Sequence, residues 1–188
     1  MTDDRDASTD EALAVSAAHG DRAAFDVLIR RHKDSLYRFA RRYVGQADDA
    51  YDVLQDSFVS AWLALNRYDA TRPFAPWLRR IILNKCRDLG RRQAVRRMLL
   101  RFVALEAGEQ ATLEVSVESD LQDSRLRKLD EAVAALPLRY KEPLLLTAMD
   151  GMSHEEAASI LQISSKAVEM RLYRARQRLR DLLDKPDL

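Results

Sequence analysis

One cysteine, Cys86, stands in a chain of 188 residues. That excludes an internal disulfide and any zinc site built on cysteine pairs; among apolar helical neighbours the thiol reads as a small buried hydrophobe. Glycine and proline are scarce, five of each, so breaks are few and helices are favoured. Charge of one sign is also missing. Lys and Arg number 31 against 30 Asp and Glu, a net charge of +1, so no overall basic field announces a nucleic-acid partner and the local distribution has to be read instead. The sequence has no apolar run of membrane length and no secretory leader, which predicts a soluble, cytoplasmic protein without membrane insertion. It offers no glycine-rich phosphate loop, metal-ligand cluster or nucleophile–base spacing, so neither an enzyme, a metal nor a cofactor is predicted.

What is present is a run of amphipathic helices, and the fold class predicted is all-α. The most informative stretch is near the C-terminus. Gly151 ends a preceding helix. Ser153 with Glu156 makes a capping box that starts a short one, closed by Ile160, Leu161 and Ile163. Ser164 caps the next. From there Val168, Leu172, Ala175, Leu179 and Leu182 fall on one face of a long helix. Two helices joined by so short a turn predict a helix-turn-helix. The outer face of its second helix carries Ser165, Lys166, Glu169, Met170, Tyr173 and Arg174, flanked by Arg171 and Arg178. Base-reading side chains near the N-terminus with phosphate-binding arginines alongside suit a major groove.

The N-terminal half predicts a second helical unit. A short helix over 11–18 ends at Gly20, and Asp21 caps a long one. Phe25, Leu28, Ile29, His32, Leu36, Phe39, Ala40 and Tyr43 are at helical spacing, and Gly45 ends it. His32 is expected to be a satisfied boundary histidine, since no second metal ligand is at usable spacing. The next helix, about 47–66, has a core stripe of Tyr51, Leu54, Phe58, Ala61, Trp62 and Leu65. Its other face brings Asp49, Asp52, Asp56, Val59 and Leu63 together, with Gln55 at the edge. Acids beside exposed aliphatics make a poor solvent face and a good docking face for a basic partner.

Residues 66–73 form a turn. A third helix then buries Phe74, Trp77, Leu78, Ile81, Ile82 and Leu89. Its other side carries Arg80, Asn84, Arg87 and Arg91, extended by Arg92, Arg96 and Arg97, with Tyr68, Phe74 and Trp77 near the start. Cations tracking a backbone beside aromatic rings are the composition of a single-strand binding surface. After Arg97 the sequence turns acidic and loses its periodicity, which predicts a linker, with an apolar start, Met98 to Leu105, that can pack as an extra helical turn. The expected units are 1–97, a linker over 98–122, and 123–188. In the last, Leu126, Leu129, Val133 and Leu136 form a helix ended by Pro137, and 138–149 form another despite Pro143.

Taken together, these segments resemble the bacterial sigma-70 family, in particular the small extracytoplasmic-function sigma factors that retain only the second and fourth conserved regions. Asp52-Val-Leu-Gln55-Asp56-Ser-Phe58 with Ala61-Trp62 is similar to the segment that grips the beta-prime clamp of RNA polymerase. Arg72-Pro-Phe74, Trp77-Leu, Arg80-Ile and Asn84 are similar to the promoter-melting, −10-reading region. Ala135-Leu-Pro137 through Ser153, with Arg171-Leu-Tyr-Arg174-Ala-Arg176, are similar to the fourth region. The resemblance implies binding to core polymerase through the clamp and the beta flap, reading of promoter DNA at −10 and −35, and control by an anti-sigma factor. It assigns polymerase contact to Asp49, Asp52, Gln55, Asp56, Val59 and Leu63. It assigns −10 contact to Asn66, Tyr68, Asp69, Arg72, Arg80, Asn84, Arg87 and Arg91, with a base drawn out of the stack near 66–73. The chain departs from the family at Glu169-Met170, where Lys or Arg followed by Ser is common. Glu accepts from a cytosine amino group, so the −35 preference does not carry over. The alternative is a helix-turn-helix regulator of the response-regulator output type, acting without polymerase; it leaves the acid face and the basic stripe unexplained.

Overall fold

The structure is a computed structural model that describes residues 7–107 and 124–184. Eight α-helices occur among these residues: α1 Asp10–Ala18, α2 Arg22–Val44, α3 Ala47–Ala64, α4 Phe74–Ala107, α5 Ser124–Ala135, α6 Leu138–Leu144, α7 His154–Leu161 and α8 Ser165–Leu183. No strand occurs among the described residues.

The helix starts follow from capping chemistry. Thr9, Asp21 and Ser164 each accept a backbone N–H of the first turn that has no helical partner. Ser153 and Glu156 form the reciprocal capping box at α7. The start of α4 is capped from a distance: Phe74 N–H donates to Glu11 Oε1 of α1 at 3.0 Å. Gly45, at φ +89°, ends α2 in the left-handed conformation that costs glycine nothing.

Helices α1 to α4 pack around Leu28, Leu36, Phe39, Phe74, Leu78 and Ile82, all fully buried. Phe25 meets Trp62 edge-on at 5.0 Å. Helices α5 to α8 pack around Leu145, Leu146 and Val168. Removing one such Leu or Phe side chain costs about 2–5 kcal/mol, because the cavity left behind collapses only in part. Cys86 is fully buried, and burial, with the charge of Glu142, pushes its thiol up to about 12. His32 Nε2 lies 2.7 Å from Asp10 Oδ2, a boundary histidine with a carboxylate partner.

Three expectations change. Tyr51, placed in the α3 core stripe, is 54% exposed and lies on the Tyr37 ring at 4.6 Å; Ala50, Val53 and Ser57 are buried there instead. The core face of α3 is thus rotated toward Val53 because α3 is covered by both α2 and α4. The helix through 80–97 does not stop where the linker was expected: α4 runs on to Ala107, since 98–107 holds good helix formers with no glycine or proline. The rest of the expected linker, 108–123, lies outside the described residues. Finally, 138–149 is not one α-helix. Pro143 has no N–H to give, and after Leu144 the chain widens into a π turn, Leu145–Met149, leaving it at Asp150.

The two helical groups are in contact. α4 touches α7, and α2 touches α5 and the π turn. Arg42 pairs with Asp130 at 3.0 Å.

Candidate polymerase and nucleic-acid interfaces

The outer face of α3 is open. Asp52, Gln55 and Asp56 are exposed, and Val59 and Leu63 are 58% and 71% exposed. These five are brought together on one side of a helix whose other side is core. Asp49 stands apart from them: it is half-buried, and its Oδ2 accepts from Gln93 Nε2 of α4 at 2.8 Å.

The predicted −10 residues divide. In the turn, Asn66, Asp69 and Arg72 are exposed. Asp69 accepts from the Thr71 hydroxyl at 2.7 Å and the Thr71 N–H at 3.0 Å, and these bonds hold its carboxyl below the ordinary carboxylate value. The Tyr68 hydroxyl donates to the Arg72 carbonyl. Burial pushes that phenol up to about 12, so it stays a donor at physiological pH. Tyr68 and Trp77 are half-buried with ring centres 5.1 Å apart. Phe74 lies beneath both and is inaccessible, so it supports the other rings and has no face to offer a base.

The basic stripe of α4 has partners. Arg80 Nη2 donates to the Ser159 carbonyl of α7 at 2.8 Å. Arg87 donates through Nε and Nη2 to the two oxygens of Glu142, at 2.8 and 2.6 Å. Arg91 pairs with Asp88 on its own helix. Of the four predicted residues only Asn84 is exposed with no partner described for it.

On α8 the predicted side chains face solvent. Lys166, Glu169, Met170, Tyr173, Arg174 and Arg178 are exposed, while Ser165 and Arg171 are half-buried. Ser165 donates to Glu155 of α7. Tyr173 accepts from Gln177 at 2.9 Å. Arg174 donates to the Tyr140 hydroxyl, and this bond, with the charges of Arg139 and Arg178, draws the phenol below its ordinary value. Arg178 lies over the Tyr140 ring at 5.4 Å. The two outermost arginines of the reading face therefore rest on one tyrosine.

These three surfaces coincide with two family matches. The family model described as Sigma-70 region 2 matches residues 28–96, and that described as Sigma-70, region 4 matches residues 126–179. The RNA polymerase sigma factor NccH of Alcaligenes xylosoxydans xylosoxydans is 42% identical over 95% of this chain and 96% of its own. The chain belongs to the sigma-70 family, in its extracytoplasmic-function branch. As a sigma factor it directs core RNA polymerase to promoters. The sigma factor SigM of Mycobacterium tuberculosis is 35% identical over 94% of this chain and 85% of its own. The solved structure of CnrH in complex with the cytosolic domain of CnrY is similar at 40% identity, with a TM-score of 0.69, covering 93% of this sigma factor and 97% of that chain. CnrH is a sigma factor of Cupriavidus metallidurans. A second solved structure, the sigma factor RpoE with the anti-sigma factor NepR from Bartonella quintana, shares the fold with a TM-score of 0.68 at 24% identity. The regulator alternative leaves the region 2 match without a role. No helix among the described residues is long and apolar enough to cross a membrane.

Sequence reasoning missed the residues that join the two regions of this sigma factor. Glu142 is buried, and the Tyr43 hydroxyl donates to its Oε1 at 2.9 Å. Burial, reinforced by the Glu142 charge, raises the Tyr43 phenol far above its ordinary value. Lys141, also buried, donates to the Ala134 carbonyl at 2.7 Å and reaches the Tyr43 carbonyl at 3.4 Å. Arg79 Nε approaches Asp150 Oδ2 at 2.8 Å with both side chains buried. The pair is close but misaligned, so Asp150 Oδ2 and Arg79 Nη1 lack a well-directed hydrogen bond. One sequence signal for these residues exists. Arg79 and Lys141-Glu142 interrupt otherwise apolar helical runs, where a charge is buried only with a partner.

Proposed function

We propose that this sigma factor engages the polymerase clamp through Asp52, Gln55, Asp56, Val59 and Leu63. The region 2 part extends to about residue 97 and the region 4 part begins at about 123. The observation that carries the reading is the open face of α3, where acids flank two aliphatics that are more than half exposed. Charge complementarity with a basic partner gives orientation and encounter rate; the aliphatics give the buried area. Promoter −10 contact is assigned to Asn66, Tyr68, Asp69 and Arg72 of the turn and to Arg80, Asn84, Arg87 and Arg91 of α4. Contact at −35 is assigned to the outer face of α8. An anti-sigma protein is expected as the regulator, by likeness to CnrH, whose solved complex contains the cytosolic domain of CnrY; its place of action is the cytoplasm, where polymerase and promoter are.

The test is the double variant Asp52→Arg with Asp56→Arg. Like charges at an interface cost several kcal/mol, so co-purification with core polymerase should fall at least a hundredfold while the helical circular dichroism signal is unchanged. Normal co-purification would refute the assignment.

A further inference from the structure

Tyr140 of α6 is buried, although Pro137, Leu138 and Arg139 just before it are exposed. Its cover is cationic. The Arg139 guanidinium lies over the ring at 4.7 Å and that of Arg178 at 5.4 Å, and Arg174 donates to the hydroxyl. The face of the ring is negative and attracts a guanidinium; the hydroxyl oxygen accepts a hydrogen bond. One side chain thus engages two arginines that stand one turn apart on α8, where like charges repel. The backbone beneath it is fixed. The Tyr140 and Lys141 N–H groups both donate to the Pro137 carbonyl, at 2.8 and 3.0 Å, and Lys141 is itself buried. Beside these contacts opens a cleft of about 510 Å³, between Leu136 and Pro137 on one side and Gln177 and Asp181 of α8 on the other. The cleft leaves room for either arginine to swing away from the outer face of α8; the tyrosine holds both.

We infer that Tyr140 is a positioning residue for −35 reading: through its hydroxyl it presents Arg174 to a base edge, and through its ring it presents Arg178 to the DNA backbone. The inference rests on the −35 assignment above. An arginine reads guanine by a two-pronged contact with O6 and N7, which needs the guanidinium fork at a set angle. A free arginine side chain samples many rotamers and loses that freedom on binding; one held in advance loses less. The hydroxyl occupies one of the guanidinium N–H groups and leaves the others for a base. Tyr140 is buried and has no face to offer DNA, so it acts only through the arginines. It comes from α6, outside the two helices of the helix-turn-helix, and extends the control of specificity to a third helix.

The test uses core polymerase loaded with the full-length chain. A sequence selected from randomised −35 duplexes is then competed against its single-base variants. Tyr140→Phe keeps the ring and removes the hydroxyl. It should lower discrimination at one base pair by roughly threefold to tenfold, what one hydrogen bond is worth, and leave the salt dependence unchanged. Tyr140→Leu removes the ring as well, and should also lower the log–log salt slope by about 0.9, the share of one phosphate contact. Arg174→Ala should abolish discrimination at the same base pair, and adding Tyr140→Phe to it should change discrimination no further, because coupled residues are not additive. An unchanged preference in Tyr140→Phe overturns the inference. So does an equal loss from Tyr140→Phe with and without Arg174, which is the mark of a merely structural role. An unchanged salt slope in Tyr140→Leu overturns the part played by Arg178. Arg174→Ala with every preference intact would instead refute the −35 assignment of that side chain, and the inference with it. Should Tyr140→Leu not fold, by circular dichroism, Tyr140→Phe and the double variant decide alone.

Discussion

On α8 the side chains that point away from the core, Lys166, Glu169, Met170 and Tyr173, stand in solvent. On α4 the equivalent basic residues, Arg80 and Arg87, hold a carbonyl and a carboxylate of the other region. Both helices are amphipathic with arginine on the outer face. The difference shows that a cationic stripe specifies an anionic partner without specifying which one. A buried carboxylate satisfies a guanidinium as well as a phosphate does. A charge taken from water must find a partner, or it costs several kcal/mol, and half-buried Arg87 finds Glu142.

The largest effect expected from breaking this contrast is at Arg79, the most buried cation of α4. Arg79→Met leaves the Asp150 carboxylate in the interface without its counter-charge, and loss of one partner of a buried pair costs about 3–5 kcal/mol. Urea unfolding at pH 7.5 measures it; a loss below about 1 kcal/mol would show that the misaligned pair adds nothing to the packing.

A smaller, pH-dependent effect sharpens the same point. Burial outweighs the attraction of Arg79 and Arg38 and pushes Asp150 up to about 6. In the unfolded chain it returns to the ordinary carboxylate value. The packed form therefore holds this proton more tightly. The stabilisation is fully present below the ordinary value and is lost as pH rises through about 6. The stability of wild type minus that of Asp150→Asn should accordingly increase between pH 7.5 and pH 5, by less than about 3 kcal/mol. A pH-independent difference would contradict it.

The smallest effect expected belongs to α8, whose Lys166, Glu169 and Met170 stand in solvent. Glu169 is exposed on the reading face. If it reads a cytosine, Glu169→Ala should relax preference at one base pair by about 1–3 kcal/mol. Selection from randomised −35 sequences decides the matter: identical preferences with uniformly tighter, more salt-dependent binding would mean that Glu169 only repels phosphate.

Local signals accounted for most of the elements and for two of the three surfaces. The caps at Asp21, Ser153 and Ser164 and the stop at Gly45 depend on side chains within four residues of the backbone they satisfy, so a linear reading finds them. The stripe of Asp52, Asp56, Val59 and Leu63 is a matter of helical period and was legible for the same reason. Tyr51 was misplaced because the angular width of a core face depends on how many helices cover it, and α3 is covered by two. The ion pairs at the junction lie beyond any local rule. Arg87 meets Glu142 across 55 residues, and Tyr43 meets the same carboxylate across 99. Periodicity determined which residues this sigma factor presents as cations. Only the packing of α4 against α7, and of Glu142 between α2 and α4, decided which of those cations are already held, because partner choice over such separations depends on distance in space and not along the chain.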